Sequence, residues 1–327
     1  VSCTPAPLKD AQGRTIAYLR LALTDRCNFR CSYCSPAEHE APGYLLTRAE
    51  IVRLGGVFGR LGVRRIRLTG GEPTLRSDLV GLVRELRLAP GIEEVALTTN
   101  GHRLSELAAP LRRAGLESLN VSLDTLDPDR LRRISGRAAS LEEVLSGLDA
   151  AAGAGFPHLK VNTVVMGGVN EDELGRIVRH AWDRGASPRF IELMPFGGGL
   201  PVPTASVKRL LAEQGLRLVP DQQRGWGPAH YLREEGGGPP RRVGFIGALT
   251  ENFCEGCNRA RVAADGGFQA CLGGDGRTNL RDLVRAGASD ADIEAVVRRA
   301  LGLKAARHHM DDEGASLVLL PMMGIGG

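Results

Sequence analysis

The sequence predicts an α/β protein built on a parallel sheet, and three observations carry that prediction. Short runs rich in Leu, Ile, Val and Thr alternate with amphipathic stretches through the first two thirds of the chain. Glycines stand where the amphipathic stretches stop, at Gly62, Gly115 and Gly185, as helix ends require. Residues with chemical character fall at the carboxyl ends of the apolar runs, where parallel sheets collect their ligands.

Taken in order, the predicted strands are 16–23, 64–69, 93–98, 117–123, 159–166 and 189–194. The helices between them are 47–61, 78–88, 104–115, 141–155 and 171–185, and Thr47 with Glu50 forms a capping box at the start of the first. Repeated βα units mean a parallel sheet covered by helices, either an open doubly wound sheet or most of a (β/α) barrel. Glycine patches at 197–199, 225–227 and 236–240 then break the chain into short strand-like pieces, with helices near 279–285 and 291–301. The expected division is therefore 1–200 and 201–327, the second part being a smaller region and not an independent domain.

At 327 residues, with 43 % hydrophobic and 24 % charged, the chain has the make-up of a soluble globular protein. No apolar run approaches the length of a membrane span and no basic segment precedes an apolar one, so a cytoplasmic location is expected. A net charge of +4 does not announce nucleic acid. Only Lys9, Lys160, Lys208 and Lys304 are lysines among the 42 basic residues. Arginine is thus the default cation, and a lysine in a suggestive place says more than an arginine does.

Six of the seven cysteines fall into two triplets; Cys3 stands apart and reads as a surface thiol. Such clustering in a large chain points to metal, not to a secreted disulfide framework. Cys27, Cys31 and Cys34 lie within eight residues. A loop of that length wraps one corner of a cubane, each thiolate meeting a different iron and the fourth iron staying open. The alternative is a zinc site completed by His39. Cys254, Cys257 and Cys271 form the second set. Half a zinc ribbon would need His308 or His309 as fourth ligand, and a deaminase-type site would need His-x-Glu before the cysteines, which is absent. The remaining reading is a second cluster beside Arg259-Ala260-Arg261, whose cations share one face if the segment is extended.

The first cysteine loop, with Tyr33 before its last thiol and Gly70-Gly71-Glu72-Pro73 after the second strand, resembles the radical S-adenosylmethionine superfamily. Within it the chain is similar to the GTP 3′,8-cyclase family, which opens molybdenum cofactor biosynthesis. Arg20–Asp25, Arg67–Pro73, Thr98-Thr99-Asn100-Gly101, Asn120–Asp124, Lys160–Thr163, Phe190–Met194, Cys254–Arg261 and a Gly326-Gly327 tail carry that likeness. Ser35 departs from the residue expected after the third cysteine and leaves the ligands untouched.

The resemblance implies an α/β partial (β/α)6 TIM-type barrel, with a smaller C-terminal region carrying a second iron–sulfur cluster. Two [4Fe–4S] clusters and S-adenosyl-L-methionine are the implied cofactors. Cys27, Cys31 and Cys34 would hold the first cluster, while Tyr33, Gly71, Ser122 and Met194 would line the S-adenosylmethionine. Cys254, Cys257 and Cys271 would hold the second, whose open iron meets guanine. Arg20, Arg67, Thr98, Lys160, Arg259, Ala260 and Arg261 would contact GTP, with Thr99 the alternative to Thr98. Expected partners are GTP, an electron donor, the next pathway enzyme by product transfer and a second copy as homodimer, with neither nucleic acid nor membrane.

Physical chemistry adds its own support. No lysine follows a glycine, so no P-loop exists, and a triphosphate would need convergent side-chain cations. A lone lysine in the apolar and Thr-rich run at Lys160 asks for such a reason. The Gly326-Gly327 tail is expected to be functional, since side-chain-free residues can thread a narrow path.

Overall fold

The computed structural model describes residues 7–34, 44–136, 139–195, 198–222, 225–236, 241–274, 276–308 and 310. Cys3, Ser35, His39, His309 and the Gly326-Gly327 tail lie outside the described residues. The expected βα alternation is present. In chain order it runs β1 (Tyr18–Ala22), α1 (Arg48–Arg60), β2 (Arg65–Thr69), α2 (Leu79–Arg87), β3 (Glu94–Thr99), α3 (Leu104–Arg113) and β4 (Ser118–Ser122). Then come α4 (Pro128–Ser135), α5 (Leu141–Gly153), β5 (His158–Gly167), α6 (Leu174–Trp182) and β6 (Ser187–Glu192). The Thr47–Glu50 capping box at α1 is formed in both directions. Helix α4 was not expected. Its polar Asp-Arg-Leu-Arg-Arg face hides the apolar period, although Asp127 caps it, Pro128 opens it and Gly136 closes it at φ +60°.

The later elements are β7 (Leu200–Pro201), α7 (Thr204–Glu213), β8 (Leu218–Pro220), β9 (His230–Glu234), β10 (Arg242–Ile246) and β11 (Arg259–Val262). The chain continues through β12 (Gly267–Gln269), β13 (Thr278–Asn279), α8 (Leu280–Arg285) and α9 (Asp290–Gly302). The strand order is β13-β12-β11-β1-β2-β3-β4-β5-β6-β10-β9-β8, with β7 paired to β5. Strands β1 to β6 are parallel neighbours in chain order, as in a (β/α)6 partial barrel.

The two rims of this arc are covered by later strands. Strand β11 pairs in parallel with β1, and β10 pairs in parallel with β6. The principal core runs beneath the sheet and takes in Phe268, Leu280, Ile293, Val297 and Leu301 together with Phe58, Ile66 and Leu97. A second apolar cluster joins Val165, Trp182 and Phe190 to Val243 and Phe245 beneath the β6–β10 rim. Among the described residues, no helix is long and apolar enough to cross a membrane.

Candidate active site

The inner face of the arc encloses a cavity of about 810 Å³. Barrel interiors are ordinarily filled by layers of branched apolar side chains. Here register puts cations in the layers instead. Arg261, Arg20 and Arg67 stand abreast on β11, β1 and β2, and Arg259, Tyr18 and Arg65 form the next row. Lys160 on β5 and Arg189 on β6 complete the lining on the far side.

Packing fixes these side chains. Arg67 donates from Nε to the Tyr18 hydroxyl and from Nη1 to Leu97 O (3.1 Å) and Thr98 Oγ1 (3.2 Å). Arg65 pairs with Glu94 at 3.0 Å and its guanidinium lies 5.2 Å from the centre of the Tyr18 ring. Arg189 donates to Asn162 Oδ1 at 2.6 and 2.9 Å. The crowding shows in the titrations. Burial alone would push the Tyr18 phenol up, but Arg67, Arg65 and Arg20 outweigh it and bring it down to about 7. Burial, then Arg189, Arg67 and Arg65, lower Lys160 to about 6. Burial and then Arg259 lower Arg261 to about 10.

The first cysteine loop follows β1 and closes one end of the cavity. Gly70 and Gly71 explain why this loop fits: a Cβ on Gly71 would stand 2.2 Å from Arg26 O, and one on Gly70 2.4 Å from Thr24 O. Side-chain-free backbone therefore presses against the loop, with Gly71 N donating to Thr24 O (2.7 Å) and Glu72 N to Arg26 O (2.8 Å). Glu72 points inward and accepts from Thr74 N, Thr74 Oγ1, Thr99 Oγ1 and Asn100 N. Burial raises its pKa, opposed by those bonds. Tyr33 donates to Asp124 Oδ2 at 2.6 Å, and burial pushes that carboxyl up to about 6.

The second triplet sits at the other end. Asn258 O accepts from Ala17 N and Tyr18 N (3.1 Å each), which levels Cys254 and Cys257 with the start of β1. Cys27 lies past the end of that strand, so the levels differ by a distance on the order of 15 Å. Arg14 anchors this loop: its guanidinium donates to Cys254 O (2.8 Å), Ala306 O (2.7 Å) and Ala305 O (2.7 Å) while pairing with Asp10 at 2.7 Å. Lys304 Nζ reaches Cys257 Sγ at 3.4 Å. Burial would raise the Cys257 thiol, yet Arg259 and Lys304 bring it down to about 7. At the first triplet burial dominates, pushing Cys34 up to about 12 and Cys31 well above the usual thiol range.

Both triplets suit clusters. The six thiols form no disulfide, are half-buried and lie on the cavity wall. The thiols of a cubane each meet a different iron and do not converge on one point. His308 is engaged elsewhere, with Nε2 3.0 Å from Ala248 O.

The cavity lining brings together Tyr33, Gly71, Ser122 and Met194 with Arg20, Arg67, Thr98, Lys160, Arg259 and Arg261. Ala260 is the exception. Strand alternation turns it away from the cavity into the core, where it is 1 % exposed. Sequence reasoning missed Tyr18, Arg65 and Arg189. Their spacing of two from Arg20, Arg67 and Ile191 was the available signal, and the abundance of arginine hid it.

Residues 21–181 match the radical SAM superfamily and 186–310 match Molybdenum Cofactor Synthesis C. Solved relatives share the fold: the Streptococcus suis SuiB structure bound to precursor peptide SuiA superposes with a TM-score of 0.61 at 14 % identity, covering 88 % of this chain and 68 % of that one. The barrel and its first cysteine loop are thus those of a radical S-adenosylmethionine enzyme. GTP 3′,8-cyclase of Marinobacter nauticus is 40 % identical over 98 % of both chains, and that of Moorella thermoacetica 43 % identical over 93 % of this chain and 96 % of its own. This chain belongs to the GTP 3′,8-cyclase family. The S-adenosylmethionine and two [4Fe–4S] clusters expected from its motifs are the cofactors of that family.

Proposed function

We propose that this chain joins C3′ of the GTP ribose to C8 of the guanine, giving (8S)-3′,8-cyclo-7,8-dihydroguanosine 5′-triphosphate, the first step of molybdenum cofactor biosynthesis. The observation that carries this reading is a cavity with three thiols at each end and a cationic wall between them. Cys27, Cys31 and Cys34 hold the first cluster, and Cys254, Cys257 and Cys271 the second. Held by Cys27, Cys31 and Cys34, a first cluster with S-adenosylmethionine would supply the radical chemistry that removes the C3′ hydrogen.

The protein's own part is placement. Tyr33, Gly71, Ser122 and Met194 line the S-adenosylmethionine at the end of β1. Arg20, Arg67, Thr98, Lys160, Arg259 and Arg261 receive the nucleotide, assisted by Arg65 and Arg189. Convergent guanidiniums suit a triphosphate where no P-loop exists. Ala260 serves only to alternate its two neighbours onto the cavity face. A nucleotide held by its phosphates on this wall, with its base toward Cys254, Cys257 and Cys271, would turn its ribose toward the first cysteine loop. The reaction also draws on an electron donor, works in the cytoplasm and hands its product to the next enzyme by release. The Gly-Gly tail assists turnover.

Anaerobic assay of GTP deuterated at C3′, with reductant and S-adenosylmethionine, tests this reading. Deuterium is expected in 5′-deoxyadenosine, whereas label at C2′ or C8 stays in the product. Unlabelled deoxyadenosine from the C3′ substrate during productive turnover overturns the reading.

A further inference from the structure

We infer that Lys304 is a positioning residue of the second cluster, binding the Cys257 sulfur and the head of the arginine-bearing strand into one unit. This rests on the reading of Cys254, Cys257 and Cys271 as cluster ligands. Lys304 is only 4 % exposed, and its Nζ lies 3.4 Å from Cys257 Sγ and 2.8 Å from Arg259 O. A lysine so deeply buried is uncommon without a defined partner. Its backbone is held too: Lys304 N donates to Leu301 O (3.0 Å) just past the end of α9, and Leu301 is fully buried.

The choice of residue is informative in a chain where arginine outnumbers lysine so heavily. An ammonium places several donors on one small atom, so it serves a sulfur and a carbonyl at once. A guanidinium spreads its donors over a rigid planar fork and suits paired oxygens better. Arg259 already occupies the neighbouring space, its guanidinium 4.8 Å from the centre of the Phe253 ring. Hydrogen bonds to ligand sulfurs draw charge off an iron–sulfur cluster and raise its reduction potential. Lys304 therefore sets the second cluster's potential, and through Arg259 O it sets where β11 begins beside that cluster.

The test uses the full chain carrying Cys27→Ala, Cys31→Ala and Cys34→Ala, so that only the second cluster is present. Iron and sulfide are measured first, and their absence from this parent would overturn the cluster reading itself. With the cluster present, Lys304→Met is expected to move the midpoint potential to a more negative value and to alter the reduced-state electron paramagnetic resonance signal. Lys304→Arg, which keeps a donor, is expected to return part of that shift. An unmoved midpoint in Lys304→Met overturns the proposal while leaving the cluster reading intact. Should Lys304→Met shed its iron, resonance Raman spectra of the parent and of Lys304→Arg in H2O and D2O decide. The Arg259 backbone N–H also reaches Cys257, so an isotope shift of the Fe–S(Cys) bands that is altered in Lys304→Arg supports the ammonium's bond, and a shift identical in both proteins overturns it.

Discussion

Thr98 and Thr99 are adjacent residues with opposite surroundings. Thr98 Oγ1 accepts from Arg67, whereas Thr99 is 2 % exposed and donates to Glu72 at 2.7 Å. Thr98→Val should therefore weaken GTP binding, by roughly 1.5–3 kcal/mol if the hydroxyl bonds a charged group in the complex. Thr99→Val should instead loosen the Gly-Gly-Glu turn, costing about 1–3 kcal/mol of stability and weakening S-adenosylmethionine retention. Titrating both ligands against both variants decides, and loss of the same ligand in each would sink the division. The cationic wall makes a second prediction. Near pH 7.5 Lys160, at about 6, is mostly neutral and Tyr18, at about 7, mostly ionised in the nucleotide-free chain. An arriving polyanion favours the ammonium and disfavours the phenolate, so both groups take up protons. Calorimetry in buffers of different ionisation heat should show proton uptake on GTP binding, fading as the pH falls through 6 toward 5, where both groups become protonated beforehand. Lys160→Met and Tyr18→Phe should each reduce it. Binding without proton uptake at pH 7.5 would refute the argument.

At the scale of elements, the second cysteine loop is held by a clamp that spans the chain. Arg14 joins the Cys254 carbonyl to those of Ala305 and Ala306, and its partner Asp10 has a fully buried side chain. Removing one member of a buried pair costs about 3–5 kcal/mol. Arg14→Met should lower the thermal midpoint and release the iron of the second cluster before that of the first. Iron analysis with each triplet mutated in turn separates the two sets, and equal loss from both would count against a local clamp. Little of this clamp was legible beforehand, because it depends on contacts between residues about 240 and 290 positions apart. What was legible was local: the six βα units follow from apolar runs such as Arg-Ile-Arg-Leu-Thr, and both cysteine triplets from spacing. The pairing of β11 with β1 left no such mark, since register across that distance is set by packing and not by pattern.

Over the whole molecule, the strands contributed by residues beyond 200 cover both rims of the parallel arc. Uncovered, β1 and β6 would offer unpaired backbone along Leu-rich and Phe-containing edges. Residues 1–200 expressed alone should therefore associate and precipitate, as sedimentation velocity would show. A stable monomer with a bound first cluster would disprove that dependence. The lining also has a consequence at this scale. Its carboxylates Glu72, Asp124 and Glu192 are each taken by protein donors, so they do little to neutralise the guanidiniums across the cavity. Confined cations of this kind favour any anion that enters, so small anions of the surrounding solution should compete with the nucleotide for the wall. Nucleotide capture would in that sense be ion exchange, and the apparent affinity for GTP should fall as the salt in which the enzyme works rises.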